Sequence, residues 1–165
     1  MPKSLRVMMI CTGNSCRSPM AEGLLRNLLP EDLKNKIWVD SAGIEAYPNY
    51  PASENAIKVS QENGIDLSGH RAKRMAVKDL EHCDLILTMT EAQKDTILKL
   101  DTLFITKTFL LTEFAREGLQ VYPDIKDPMG GDLVAYRLTF EQIKESIERI
   151  IPKIEKFFEE NAQSR

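Results

Sequence analysis

The chain has 165 residues, 42% of them hydrophobic and 28% charged, with 22 Lys+Arg against 25 Asp+Glu and a formal charge of −3. That composition suits one globular domain over residues 1–165 and lacks the basic excess of a non-specific nucleic-acid or anionic-membrane binder. No apolar run nears the roughly 20 residues that span a bilayer, and Arg6 breaks the stretch Leu5 to Ile10, which disfavours a secretory leader.

Val7 to Ile10 is a short apolar run that suits a strand buried on both faces. Met20, Ala21, Leu24, Leu25, Leu28 and Leu29 then recur at helical spacing, with Pro19 in the tolerant first turn and Pro30 as the stop. Ile37-Trp38-Val39 predicts a second strand ending in a polar turn at Asp40-Ser41. A helix is expected from about Ser53 to Gln61, closed by Asn63-Gly64. Asp84 to Thr88 reads as a central strand, Glu91 to Leu100 as the helix after it, and Leu103 to Thr106 as a shorter strand. In the last segment Ile143, Ile147, Ile150, Ile151, Ile154 and Phe157 line one side of a helix, and Pro152 predicts a kink or break there. Strands alternating with helices predict a parallel α/β sheet covered on both faces, with ligands at the C-terminal strand ends.

Three cysteines without a leader suggest a reducing, cytoplasmic setting. Cys11, Cys16, Cys83, His70 and His82 do not spell a four-ligand zinc site at these spacings. Neither GxGxxG nor GxxxxGK[ST] occurs, so the two commonest nucleotide loops are missing.

The informative segment is Cys11-Thr12-Gly13-Asn14-Ser15-Cys16-Arg17-Ser18, set between the first strand and the first helix. Backbone N–H groups in such a loop point inward without internal partners, and the helix dipole adds positive potential, so the segment predicts an anion site. Gly13 is expected to permit backbone geometry that a larger residue would resist, and Asn14 tolerates left-handed geometry and can brace the loop. Arg17 offers a planar fork for two phosphate oxygens. A thiol at the base of this loop, Cys11, faces converging dipoles and a guanidinium, the setting that makes cysteine a nucleophile. Ser18 can donate to the sulfur and favour its departure in a later step. Phosphoryl transfer also needs an acid for the leaving atom, and Asp124 and Asp127 both lie in a breaker-rich loop from Val121 to Gly131. The residues alone do not choose between them.

CTGNSCRSPMAE, residues 11–22, resembles the low-molecular-weight protein tyrosine phosphatase family. Ser41-Ala42-Gly43, His70-Arg71-Ala72 and Asp127-Pro128 resemble further landmarks of that family, in family order over nearly the whole chain. The resemblance implies a three-layer α/β/α domain with a four-stranded parallel sheet in the order 2-1-3-4. It implies Cys11 as nucleophile, Arg17 as phosphate clamp and Asp127 as general acid and then base. Thr12, Gly13, Asn14, Ser15, Cys16 and Ser18 would bind the phosphoryl group, Tyr47 and Met129 would flank the substrate, and Ser41 and His70 would support the loop. No metal or organic cofactor is implied. The substrate would be a phosphorylated protein or small aryl phosphate, and inorganic phosphate the product. The resemblance also implies a reversible Cys11–Cys16 disulfide.

Two departures bear on specificity. Ser15 stands where eukaryotic relatives usually carry a bulky aliphatic residue, and Met129-Gly130-Gly131 follows Asp-Pro in place of two aromatics. Both resemble the bacterial protein arginine phosphatase branch, whereas Tyr47 suits a phosphotyrosine ring. Phosphotyrosine is placed first and phosphoarginine second. A thioredoxin-linked arsenate reductase shares the loop but needs two further cysteines, of which only Cys83 remains. A phosphoprotein-binding module without turnover would not need Cys11, Arg17 and Asp127 together.

Overall fold

The computed structural model describes residues 3–116 and 121–163. Four parallel strands, β1 (Leu5–Cys11), β2 (Ile37–Gly43), β3 (Leu85–Thr88) and β4 (Thr108–Leu110), form one sheet in the order β2-β1-β3-β4. The connecting helices are α1 (Arg17–Leu28), α2 (Glu31–Lys34), α3 (Glu54–Glu62), α4 (Val77–Glu81), α5 (Glu91–Leu98) and α6 (Leu133–Gln163).

Strand alternation divides the interior into two layers. Leu5, Val7, Met9 and Cys11 of β1 point to one side, where they meet Leu85 and Leu87 of β3 and the apolar faces of α1, α3 and α6. Met8 and Ile10 point to the other, against Leu80 of α4, Ile97 of α5 and Phe104. Both faces are dry, which is why the run Val7 to Ile10 carries no polar residue. Ile143, Ile147, Ile150 and Ile154 of α6 are fully buried, each adding about 1.5–3 kcal/mol of apolar transfer. Because β2 lies on one side of β1 and β3 on the other, the chain changes direction across the sheet at β1. In an open parallel sheet that switch point, at the C-terminal strand end, opens a crevice for ligands. Cys11 is the last residue of β1.

Three sequence expectations about the elements need correction, and two short helices were not expected. β2 does not turn at Asp40-Ser41 but continues to Gly43, with Ser41 paired to Met9 and Gly43 to Cys11. Polar residues are accommodated because β2 is an edge strand, where Asp40 reaches out to Lys73 and Ser41 turns in toward the site. The strand expected at Leu103 to Thr106 is instead a 3₁₀ turn at Thr102–Phe104, capped by the Asp101 carboxylate on the Leu103 N–H. Only Phe104 of that apolar run is buried, and the strand forms later, at Thr108–Leu110. α6 starts ten residues before Ile143 and is not broken at Pro152. Pro152 and Glu148, the residue whose carbonyl loses its partner, both lie on the exposed face, where water can replace the missing bond. The short helices α2 and α4 carry too few residues to show a period.

Among the described residues no helix is long and apolar enough to cross a membrane.

Candidate active site

The loop between β1 and α1 wraps around the Cys11 sulfur. The Asn14 N–H points at Sγ from 3.2 Å, and the Ser18 hydroxyl lies 2.9 Å from it on the first turn of α1. Asn14 adopts φ of 52°, the left-handed conformation that side chains other than glycine rarely take. Its side chain holds it there. Nδ2 donates to Ser18 Oγ (2.8 Å) and Ser41 Oγ (2.9 Å), and Oδ1 accepts the Lys73 N–H (2.9 Å). Because Asn14 donates to Ser18 Oγ, the Ser18 hydrogen is left to point at the Cys11 sulfur.

Gly13 is corrected in its stated role. Its φ lies outside the left-handed region, and a Cβ there would meet only Ser15 Oγ, at 3.5 Å. The glycine that the loop needs is Gly43, at the end of β2. A Cβ on it would stand 2.5 Å from the Thr12 carbonyl oxygen and 2.8 Å from the Asn14 nitrogen. Removing that Cβ lets the strand end close against the loop, where Ile44 N–H meets the Cys11 carbonyl (3.0 Å) and Glu45 N–H the Thr12 carbonyl (2.9 Å).

Ser41 and His70 support the loop from behind. Ser41 Oγ donates to Glu22 Oε2 at 2.6 Å while accepting from Asn14. Burial raises the Glu22 carboxyl above its ordinary 4.5, with the Ser41 hydrogen bond and Arg26 pulling it down. His70 Nε2 lies 2.8 Å from the Asn14 carbonyl, which can only accept, so that nitrogen carries a proton.

Arg17 is nearly buried. Nη1 donates to the Ile125 carbonyl (3.0 Å), and Nη2 lies 3.5 Å from Oδ2 of Asp127, whose side chain is half-exposed. The other Asp127 oxygen accepts the Met129 N–H at 3.1 Å. Asp124 is engaged elsewhere, accepting the Glu91 N–H at the start of α5 (2.8 Å). The fold thus separates two carboxylates that the sequence leaves equivalent: one faces the loop arginine and the other secures a helix.

A cysteine sulfur at a strand end, hydrogen-bond donors around it and an arginine beside a carboxylate form a set of groups that can together receive and release a tetrahedral anion. A profile of the family described as "Low molecular weight phosphotyrosine protein phosphatase" matches residues 6–162. The chain belongs to that family.

This phosphatase-family chain is 36% identical over 148 residues to the "Probable low molecular weight protein-tyrosine-phosphatase EpsP" of Ralstonia nicotianae, covering 90% of this chain and 94% of EpsP. It is 35% identical over 153 residues to the "Protein-arginine-phosphatase" of Geobacillus stearothermophilus, covering 91% and 96%. The YwlE arginine phosphatase, solved as a Cys-to-Ser mutant with a phosphorylated active site serine, superposes with a TM-score of 0.81 at 29% identity, over 92% of this chain and 97% of that one. The four-stranded order 2-1-3-4 expected from the resemblance is the order observed.

The remaining expected site residues of this phosphatase-family chain take up distinct places. Ser15 is half-buried, and its carbonyl accepts the Ser53 N–H at 2.9 Å. Cys16 turns away from the cup, its sulfur 3.2 Å from Ser53 Oγ and 3.4 Å from Tyr136 Oη. Burial pushes the Tyr136 hydroxyl up to about 12, so it stays protonated. Cys11, Cys16 and Cys83 are all free thiols. Tyr47 is 78% exposed, its ring 6.1 Å from that of Tyr50. Met129 is exposed beside Asp127.

Sequence reasoning missed four participants: Glu22 under Ser41, the Ile125 carbonyl under Arg17, Tyr136 beside Cys16, and Gln93, whose Nε2 donates to Thr12 Oγ1 at 3.1 Å. Only Gln93 had a readable signal, the Thr90-Glu91-Ala92-Gln93 pattern of a capping box. Among the described residues no group of three or more His, Cys, Asp and Glu could hold a metal ion.

Proposed function

We propose that this chain, read as a single phosphatase domain over residues 1–165, removes phosphate from protein phosphotyrosine through a phosphocysteine on Cys11. The observation that carries this is the placement of Cys11 Sγ, at the end of β1, against the Asn14 N–H and the Ser18 hydroxyl. The Cys11 thiolate attacks phosphorus in line, forming an S–P bond as the bond to the leaving oxygen breaks. Asp127, protonated at this stage, gives its proton to that oxygen. Water then attacks the phosphocysteine, Asp127 takes the water proton, the S–P bond breaks and inorganic phosphate leaves. Arg17 and the loop N–H groups hold the equatorial oxygens through both steps. Thr12, Gly13, Ser15 and Cys16 complete the cup by their backbone, and Tyr47 gives the phenyl ring a wall to stack on. Phosphoproteins and small aryl phosphates are the substrates this site fits. Free thiols at all three cysteines suit a cytoplasmic setting.

A second reading has its own support: Ser15 is small and polar, Met129-Gly130-Gly131 follows the acid, and the arginine phosphatase of Geobacillus stearothermophilus is a relative. Both readings share the cysteine chemistry and differ only in the group above the cup.

Hydrolysis of p-nitrophenyl phosphate by wild type, and its loss in Cys11→Ser, tests the shared chemistry. Comparing kcat/KM on phosphotyrosine and phosphoarginine peptides decides between the readings. Ser15→Ile is expected to shift the ratio at least about tenfold toward phosphotyrosine, since a bulky side chain crowds a guanidinium more than a flat ring. A ratio unchanged by Ser15→Ile would remove Ser15 as a determinant.

A further inference from the structure

Gln93 is a polar side chain only 4% exposed, on the first turn of α5. Its Oε1 accepts the N–H groups of Met89 and Thr90, both at 3.0 Å, and its own N–H donates to Thr90 Oγ1 at 3.2 Å. That is a complete capping box, and a capping box uses only the side-chain oxygen. The amide cannot be reversed, because reversal would set its NH₂ against two backbone N–H donors. Its nitrogen is therefore left over, and it reaches 3.1 Å to Oγ1 of Thr12, the residue after Cys11.

A threonine hydroxyl has one hydrogen and two lone pairs. Gln93 occupies a lone pair, so the Thr12 hydrogen must point elsewhere, and among the described residues it meets no acceptor. Thr12 is exposed at the rim of the cup, and its carbonyl is fixed by the Glu45 N–H. A hydroxyl held as a donor at the rim of an anion site faces the chemical class that the site attracts.

We infer that Gln93 is a positioning residue that commits the Thr12 hydroxyl to donating, so that Thr12 hydrogen-bonds an oxygen of the bound phosphoryl group. This rests on the phosphatase reading. The same glutamine spans two parts of the site. Met89, whose N–H it accepts, takes the Ile125 N–H on its carbonyl at 2.8 Å, and Ile125 in turn accepts from Arg17.

The test is calorimetric titration of inorganic phosphate, which needs no turnover. Thr12→Val is expected to weaken phosphate binding about tenfold, the loss of one hydrogen bond to a charged group, while Thr12→Ser, which keeps the hydroxyl, stays near wild type. Gln93→Glu keeps the capping oxygen but replaces the N–H donor by an acceptor, which draws the Thr12 hydrogen to itself. It should weaken phosphate markedly, and by clearly less in a Thr12→Val background, because there only its added charge acts. Thr12→Ala serves in place of Thr12→Val should thermal unfolding show the valine variant misfolded. Equal phosphate affinity for wild type and the hydroxyl-free variant, or an equal Gln93→Glu cost in both backgrounds, would overturn the inference and leave the phosphatase reading standing. A wild type that neither binds phosphate nor hydrolyses p-nitrophenyl phosphate would overturn both.

Discussion

Arg17 and Asp127 face each other across the cup, with Nη2 3.5 Å from Oδ2. The guanidinium is buried and the carboxylate half-exposed, so water screens the pair and its strength is modest. On the proposed function an incoming phosphate takes the same Arg17 fork, and Asp127 would then act as an internal competitor until the anion displaces it. Asp127→Ala should bind inorganic phosphate roughly two- to fivefold tighter. Turnover of aryl phosphates should fall about a hundredfold or more with the acid gone. Titration calorimetry and steady-state kinetics read the two effects. Weaker phosphate binding by Asp127→Ala would show that the carboxylate assists the arginine instead of competing with it.

Asp124, three residues earlier, makes a different prediction. It accepts the Glu91 N–H at the start of α5, so Asp124→Ala should lose about 0.5–2 kcal/mol of stability, the usual cost of a helix cap. Asp124→Asn, which keeps an acceptor oxygen, should fold and turn over far closer to wild type than Asp127→Asn. Urea unfolding and kcat measured side by side check this; equal kcat losses would move the acid role away from Asp127.

Gly43→Ala places a methyl group 2.5 Å from the Thr12 carbonyl oxygen and 2.8 Å from the Asn14 nitrogen, both backbone atoms. Something must shift, and the atoms available to shift belong to the loop that holds Cys11. The expected cost is about 1–3 kcal/mol in urea unfolding, with a kcat loss larger than stability alone explains, since folded molecules would carry a displaced Asn14 N–H. Full activity in a stable Gly43→Ala chain would contradict the close contact.

Glu22 gives a pH signature. Burial raises its folded-state pKa above 4.5, outweighing Ser41 and Arg26, while Asp40 raises it further and His70 lowers it. The native chain then holds this proton more tightly than the unfolded chain does. Its contribution is present below about 4.5 and is lost as pH climbs through the raised value. Glu22→Gln cannot ionise and keeps an oxygen for Ser41. Its stability relative to wild type should improve with rising pH across that window and then level off, as urea titrations between roughly pH 4 and 7 would show. A difference independent of pH would remove the effect.

Much of this was legible in the residues, and the reason is local. The strand Val7 to Ile10, the polar loop after it and the helix behind Pro19 are encoded within contiguous segments, so the anion site could be placed before any long-range contact was known. Asn14 announced its left-handed conformation by its residue type. What stayed hidden depends on distant pairings. Asp124 and Asp127 look alike until α5 captures one and Arg17 meets the other. Gly13, inside the motif, was expected to permit backbone geometry that a larger residue would resist, but the tight approach comes from Gly43 thirty residues later. Leu103 to Thr106 misled because a short apolar run has no period, and Asp101 turns it into a helical turn.

Arg17 takes its aim from a carbonyl 108 residues away, that of Ile125, which itself hangs from the end of β3 through Met89. Eight contiguous residues therefore carry the proposed nucleophile but not the means of pointing the Arg17 guanidinium beside it. Transplanted onto another strand–helix junction, that octapeptide would bring the cysteine with an arginine that swings freely, unless the host supplied an oxygen in the position Ile125 fills.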